Sequence, residues 1–143
     1  MIDQPPFRFV ALDSQLDPGE VGGAIGSEQL QWLESVLRYR EPARTILFVH
    51  HPGESASEGC RDFGSLFDLA AGCGHVQAIV TGHDHAYSLD RDRGVHLVGL
   101  PSAGFPFDPG DECGWVEANL RASDLELRLR AGGTSRVSRL RWR

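Results

Sequence analysis

The chain is poor in cysteine. Cys60, Cys73 and Cys113 are odd in number and widely spaced, and no CxxC occurs among the 143 residues. Neither a zinc ribbon nor a disulfide framework is indicated. A reduced, cytoplasmic setting fits this usage. Long apolar runs are missing too: nothing approaches the roughly 18 residues of a membrane span. The first residues, Met-Ile-Asp-Gln-Pro-Pro, carry none of the marks of a signal peptide. An excess of positive charge is also lacking. Fourteen Lys and Arg against twenty Asp and Glu give a net charge of -6, which argues against a nucleic-acid binder or an anionic-membrane binder. Arg128, Arg130, Arg136, Arg139, Arg141 and Arg143 make only the C-terminal end basic, as a solvated strand face and tail would. There is no internal repeat and no low-complexity segment.

What remains is an ordinary soluble composition, 41% hydrophobic and 24% charged, sized for a single domain over 1–143. Phe7 to Asp13 reads as a strand. A glycine-rich loop runs from Asp17 to Gly26. Ser27 suits a helix N-cap, with Glu28 favourable in the first turn. Leu30, Leu33 and Leu37 then recur at helical spacing, with Trp32 and Val36 broadening the stripe. Thr45 to Val49 and Val76 to Thr81 are short apolar runs that read as strands buried on both faces. Between them, Phe63, Leu66, Phe67 and Ala70 mark a helix closed by Gly72.

After His85 the pattern changes to consecutive strands: Val95 to Leu100, Gly114 to Leu120, Leu125 to Leu129 and Arg136 to Trp142. Leu125, Leu127 and Leu129 alternate with Glu126, Arg128 and Arg130, the pattern of a half-exposed strand. The expected class is α/β, a mixed sheet with a C-terminal antiparallel meander.

Three segments end at the C-terminal end of an expected strand: Asp13, His50-His51-Pro52 and Gly82-His83-Asp84-His85. Ligands collect outside such strand ends in open α/β sheets. If the last segment is extended, His83 and His85 project to one side, and Gly82 lets the backbone approach what they hold. Imidazole is a common metal ligand, and a borderline divalent ion accepts imidazole nitrogen with carboxylate oxygen. His51 and Asp84 would then point away from their neighbours, as supporting or substrate-side candidates. Asp13, the only carboxylate at a strand end, suits a turn or hydrogen-bonding role first and a ligand role second. His75 and His96 read as structural, and no cysteine has an activating neighbour in sequence. Phe105-Pro106-Phe107 reads as packing, with an aromatic wall as the alternative.

Phe-Val-His50-His51-Pro52 followed by Gly82-His83-Asp84-His85 resembles the later signature motifs of the calcineurin-like metallophosphoesterases. Leu12-Asp13-Ser14, Glu28-Gln29-Leu30 and Trp32-Leu33-Glu34 are similar to the branch of cyclic-nucleotide and glycerophosphodiester phosphodiesterases. The resemblance covers about residues 7 to 105. It implies the C-terminal half of a two-sheet α/β/β/α fold. It also implies two divalent metals (Mn, Fe or Zn) and hydrolysis of small phosphate esters, most of all phosphodiesters, by a metal-activated hydroxide. His50 and His83 correspond to ligands of the second metal and His85 to a ligand of the first.

The family's earlier motifs, DxH, GDxx and GNH, do not occur upstream of His50. They supply the bridging carboxylate, further ligands and the leaving-group acid. The expectation is therefore a partial domain, inactive alone, that needs a missing N-terminal half or pairs as a homodimer. The alternative is a catalytically incomplete metal-binding or partner-dependent module.

Overall fold

The computed structural model describes residues 1–41, 44–53, 58–107, 110 and 112–143. Four parallel strands form its centre: β2 (Phe7–Leu12), β3 (Arg44–Val49), β4 (Val76–Thr81) and β6 (Val95–Gly99). Two antiparallel edge strands flank them, β1 (Ile2–Gln4) on β2 and β5 (Ser88–Asp92) on β6, in the order β1-β2-β3-β4-β6-β5. Helix α1 (Ser27–Leu37) connects β2 to β3, and α2 (Phe63–Gly72) connects β3 to β4. Beyond them β7 (Gly114–Leu120), β8 (Asp124–Ala131) and β9 (Thr134–Arg141) form a separate three-stranded antiparallel sheet.

Alternation along the strands builds the layers. Val10, Leu12, Leu47, Val49 and Ile79 face the helices and pack with Leu33, Leu37, Leu66, Phe67 and Ala70. Burying each such side chain contributes about 1.5–3 kcal/mol. On the opposite face Val98, Val80 and Leu100 meet Leu125, Leu127, Val116, Leu120 and Leu140 of the second sheet. The layers are thus α/β/β among the described residues.

The second sheet does not cover the whole face. The register row Ala11–Phe48–Val80–Val98 runs from exposed to buried, and Phe48, on a central parallel strand, stays 38% exposed. Among the described residues no helix is long and apolar enough to cross a membrane.

The structure corrects several local expectations. Gly26, not Ser27, is the N-cap of α1, with φ 81 and no side-chain cap bond. Trp32 turns outward, 42% exposed, while Val36 stays against the core. Glu126 is buried, because Arg121 and Arg139 reach its carboxylate at 2.9 and 3.1 Å and cover it. The Arg139 hydrogen bond, with Arg121 beside it, overcomes desolvation and holds this carboxyl below its ordinary range. His96 is structural as expected: it is buried, with Nε2 2.9 Å from the Arg141 carbonyl.

Candidate metal centre

Parallel pairing places the C-terminal ends of β2, β3, β4 and β6 along one sheet edge. Two backbone bonds carry the alignment past the strands. Gly82 N–H donates to the His50 carbonyl at 2.9 Å, and Leu100 N–H donates to the Thr81 carbonyl at 2.8 Å. His50 and the Gly82–His85 turn therefore leave the sheet side by side. Gly82 makes that approach close: a Cβ there would lie a tight 3.3 Å from His50 Nδ1.

The turn is not extended, which overturns the expectation that His83 and His85 share a face. His83 has φ 66 and His85 φ 56, and Asp84 N–H donates to the Gly82 carbonyl at 2.8 Å. Two non-glycine residues in the left-handed region hold a strained conformation, a feature that clusters at functional sites. The two imidazoles consequently diverge. His83 faces His50, with ring centroids 5.4 Å apart and planes at 83°. His85 stacks on Phe107 at 4.0 Å and 9°, with Phe105 edge-on at 6.2 Å.

His51 does not point away from His50. Their centroids are 4.8 Å apart, and His51 lies 4.5 Å from His83. One nitrogen from each of His50, His51 and His83 falls within a 4.8 Å group. Asp84 lines a cavity of about 600 Å³ with Pro52, Phe63 and Phe67, and its charge acts on His83. Asp13 forms a local turn: its Oδ1 accepts the Gln15 N–H at 2.9 Å, while Gln29 bonds its backbone. No carboxylate joins the histidine group among the described residues.

Burial lowers the His50, His51 and His83 pKa values below the ordinary imidazole value, and neighbouring imidazoles add to the effect. The Val21 carbonyl opposes it at His51, and Asp84 opposes it at His83. All three are therefore neutral at pH 7, the form that binds metals. His85 Nδ1 is buried without a hydrogen-bond partner. Neutral imidazoles and an orphaned buried nitrogen fit a borderline divalent ion.

Three contributors were not legible as such. Ser14, Val21 and Gly23, from the loop after β2, surround His51. The only trace of them in sequence was Ser14 in the Leu12-Asp13-Ser14 text.

No protein-family model matches the chain. Curated relatives do. A probable cyclic nucleotide phosphodiesterase of Psychrobacter is 30% identical over 122 residues, 82% of this chain and 36% of that protein. The 3',5'-cyclic adenosine monophosphate phosphodiesterase CpdA of Escherichia coli is 33% identical over 112 residues, 72% of this chain and 39% of that protein. A dimetal phosphatase from Danio rerio superposes with a TM-score of 0.69 at 19% identity, covering 85% of this chain and 40% of that one, a likeness of fold.

In sequence and fold the chain resembles the calcineurin-like metallophosphoesterases. Within that class its curated relatives are phosphodiesterases, and it spans between about a third and a half of the length of the first of them.

Proposed function

We propose that this chain supplies the later ligand set of a binuclear phosphoesterase centre acting on small phosphodiesters. His50 and His83 hold one divalent ion, and His85 contributes to the second. The observation that carries the reading is the face of His50 on His83 at 5.4 Å, across neighbouring parallel strand ends. The phosphodiesterase names of the curated relatives supply the reaction class.

Divalent ions there would supply Lewis-acid activation of water and neutralise charge at the phosphoryl oxygens. The chain's own residues do the rest. Neutral His50 and His83 present lone pairs without first losing a proton. The left-handed turn at His83 aims one imidazole at His50 and the next at Phe107. Phe107 fixes the plane of His85 by stacking.

The donor set is all imidazole, so turnover requires carboxylates from DxH, GDxx and GNH segments. The same donor set favours one further reading, a metal-binding module without turnover. Metal analysis and hydrolysis of bis(p-nitrophenyl) phosphate separate the two. The expected result is tight Zn²⁺ or Mn²⁺ binding by the chain, with turnover appearing once those segments of a curated relative are joined upstream. Metal binding without turnover in that fusion favours the module. Absence of metal binding rejects both.

A further inference from the structure

His51 sits against both proposed ligands, and on distance alone it would be a third. Its hydrogen bonds give it another role. Nε2 lies 3.2 Å from the Val21 carbonyl oxygen. A carbonyl only accepts, so Nε2 carries the proton. Nδ1 is then the acceptor, and the Ser14 hydroxyl donates to it at 2.8 Å. The same hydroxyl oxygen accepts the His51 backbone N–H at 3.3 Å.

Ser14 is 1% exposed and His51 3%, so water offers neither an alternative partner. Ser14 is anchored in turn by the Ala24 N–H, which donates to its carbonyl at 3.1 Å. Gly23 completes the enclosure. A Cβ there would overlap the His51 ring and come within 2.8 Å of the Ser14 carbonyl oxygen. The ring thus has one tautomer, one orientation and no room to turn.

We infer that His51 is a positioning residue: Ser14 and Val21 lock its imidazole, and the locked ring holds His50 and His83 facing one another. The inference rests on the metal reading above. It accounts for the buried serine in the loop after β2, 37 residues away in sequence, which that reading leaves unused. Ligands held in place before the ion arrives lose less freedom on binding, and removing such outer support typically costs about 10–100-fold in metal affinity.

Two measurements on the whole chain test this. In ¹⁵N-resolved histidine spectra titrated with Zn²⁺, His51 is expected to stay in the Nε2–H tautomer while ring nitrogens of His50 and His83 shift. In Ser14→Ala, the Zn²⁺ dissociation constant should rise about 10–100-fold, measured where circular dichroism shows the variant folded. A metal-shifted His51 nitrogen would make it a ligand and overturn the inference. Unchanged Zn²⁺ affinity in folded Ser14→Ala would reduce the pair to a tie between loops and overturn it equally. Should Ser14→Ala not fold, the wild-type spectra decide alone, and an Nδ1–H tautomer at His51 rejects the lock. If no ring nitrogen shifts in the wild type, the metal reading itself fails, a result separate from the other three.

Discussion

Asp62 holds Gly26 from across the loop: its Oδ2 accepts the Gly26 N–H at 2.8 Å, and its Oδ1 accepts the Ile25 N–H at the same distance. Gly26 caps α1 with φ 81 and no side-chain cap bond, so the carboxylate that steadies the helix entry comes from the residue before α2. Burial pushes the Asp62 carboxyl up. Bonds from Ile25, Gly26 and the Cys60 thiol overcome that and hold it below its ordinary value. The same environment pushes the Cys60 thiol up to about 11, mainly by burial, which makes it inert.

Asp62→Ala should therefore destabilise the chain by about 1–3 kcal/mol, through loss of the charge-assisted bonds from the Ile25 and Gly26 N–H groups. Urea unfolding of both proteins measures it. A midpoint equal to wild type would show that solvent replaces the carboxylate at no cost.

His75 governs part of the acid response. It is buried, and Nε2 has no hydrogen-bond partner. Burial first, then the charges of Arg40, Arg8 and Arg143, lower its pKa below the ordinary value. The unfolded chain therefore binds a proton at a pH where the folded chain does not. Its contribution is intact above the unfolded value of about 6.5 and declines as pH falls toward the lower folded value. His75→Gln should flatten the loss of melting temperature between about pH 7 and pH 5. An unchanged pH slope would assign that loss elsewhere.

The parts of the fold that were readable in sequence are those whose burial is written as pattern. β3 and β4 are short apolar runs because both faces are covered along most of their length, and α2 carries its stripe at Phe63, Leu66, Phe67 and Ala70. The edge strands β1 and β5 were not seen. Ser88-Leu89-Asp90-Arg91-Asp92 is exposed throughout, and charge on an edge strand guards against further pairing while hiding the strand from pattern reading. Its one cue was the tight turn at Arg93 and Gly94, with φ 44 and 83.

At the site, strand ends and residue types pointed to His50, His83 and His85. The directions of the side chains were misjudged, because left-handed residues at His83 and His85, on either side of Asp84, run against side-chain preference and leave no composition signal. Ser14 and Gly23 belong to His51 only through tertiary folding.

Arg143 joins the end of the chain to the end of α2. Its guanidinium donates to the carbonyls of Ala70 at 2.9 Å and Arg93 at 3.1 Å, and also to that of Cys73. Its backbone N–H donates to Gln77 Oε1 at 2.9 Å. The last carbonyls of a helix have no intrahelical partner, and a cation there also complements the helix dipole. Arg143→Ala should cost about 1–2 kcal/mol by loss of these bonds, with faster hydrogen exchange concentrated in the last turn of α2. Uniform exchange across α2 in both proteins would contradict the capping role.

Gly23→Ala tests the enclosure of His51 by steric means. The added methyl has no free space, since the imidazole and the Ser14 carbonyl already occupy it. Overpacking of this kind costs about 1–3 kcal/mol. The strain falls on the His51 ring, so Zn²⁺ affinity should fall together with stability. Gly22→Ala, with its nearest neighbours at 3.2 Å, is the matched control and should be milder in both. Equal effects of the two substitutions would remove the special standing of Gly23.

His83 and His85 should separate cleanly in metal binding. Asparagine is the appropriate replacement, because it tolerates the left-handed φ that both positions adopt, where alanine would add strain to the loss of the ring. His83→Asn removes the imidazole that faces His50 at 5.4 Å. The ion shared by that pair should bind at least about tenfold more weakly, the loss expected from a perturbed ligand shell. His85 lies outside the 4.8 Å nitrogen group and packs on Phe107 instead. His85→Asn should therefore leave the tightest Zn²⁺ site close to wild type and abolish only a second, weaker one. Calorimetric titration resolves the two. A loss of the tight site in His85→Asn would place all three histidines on one ion and reject the division between two metals.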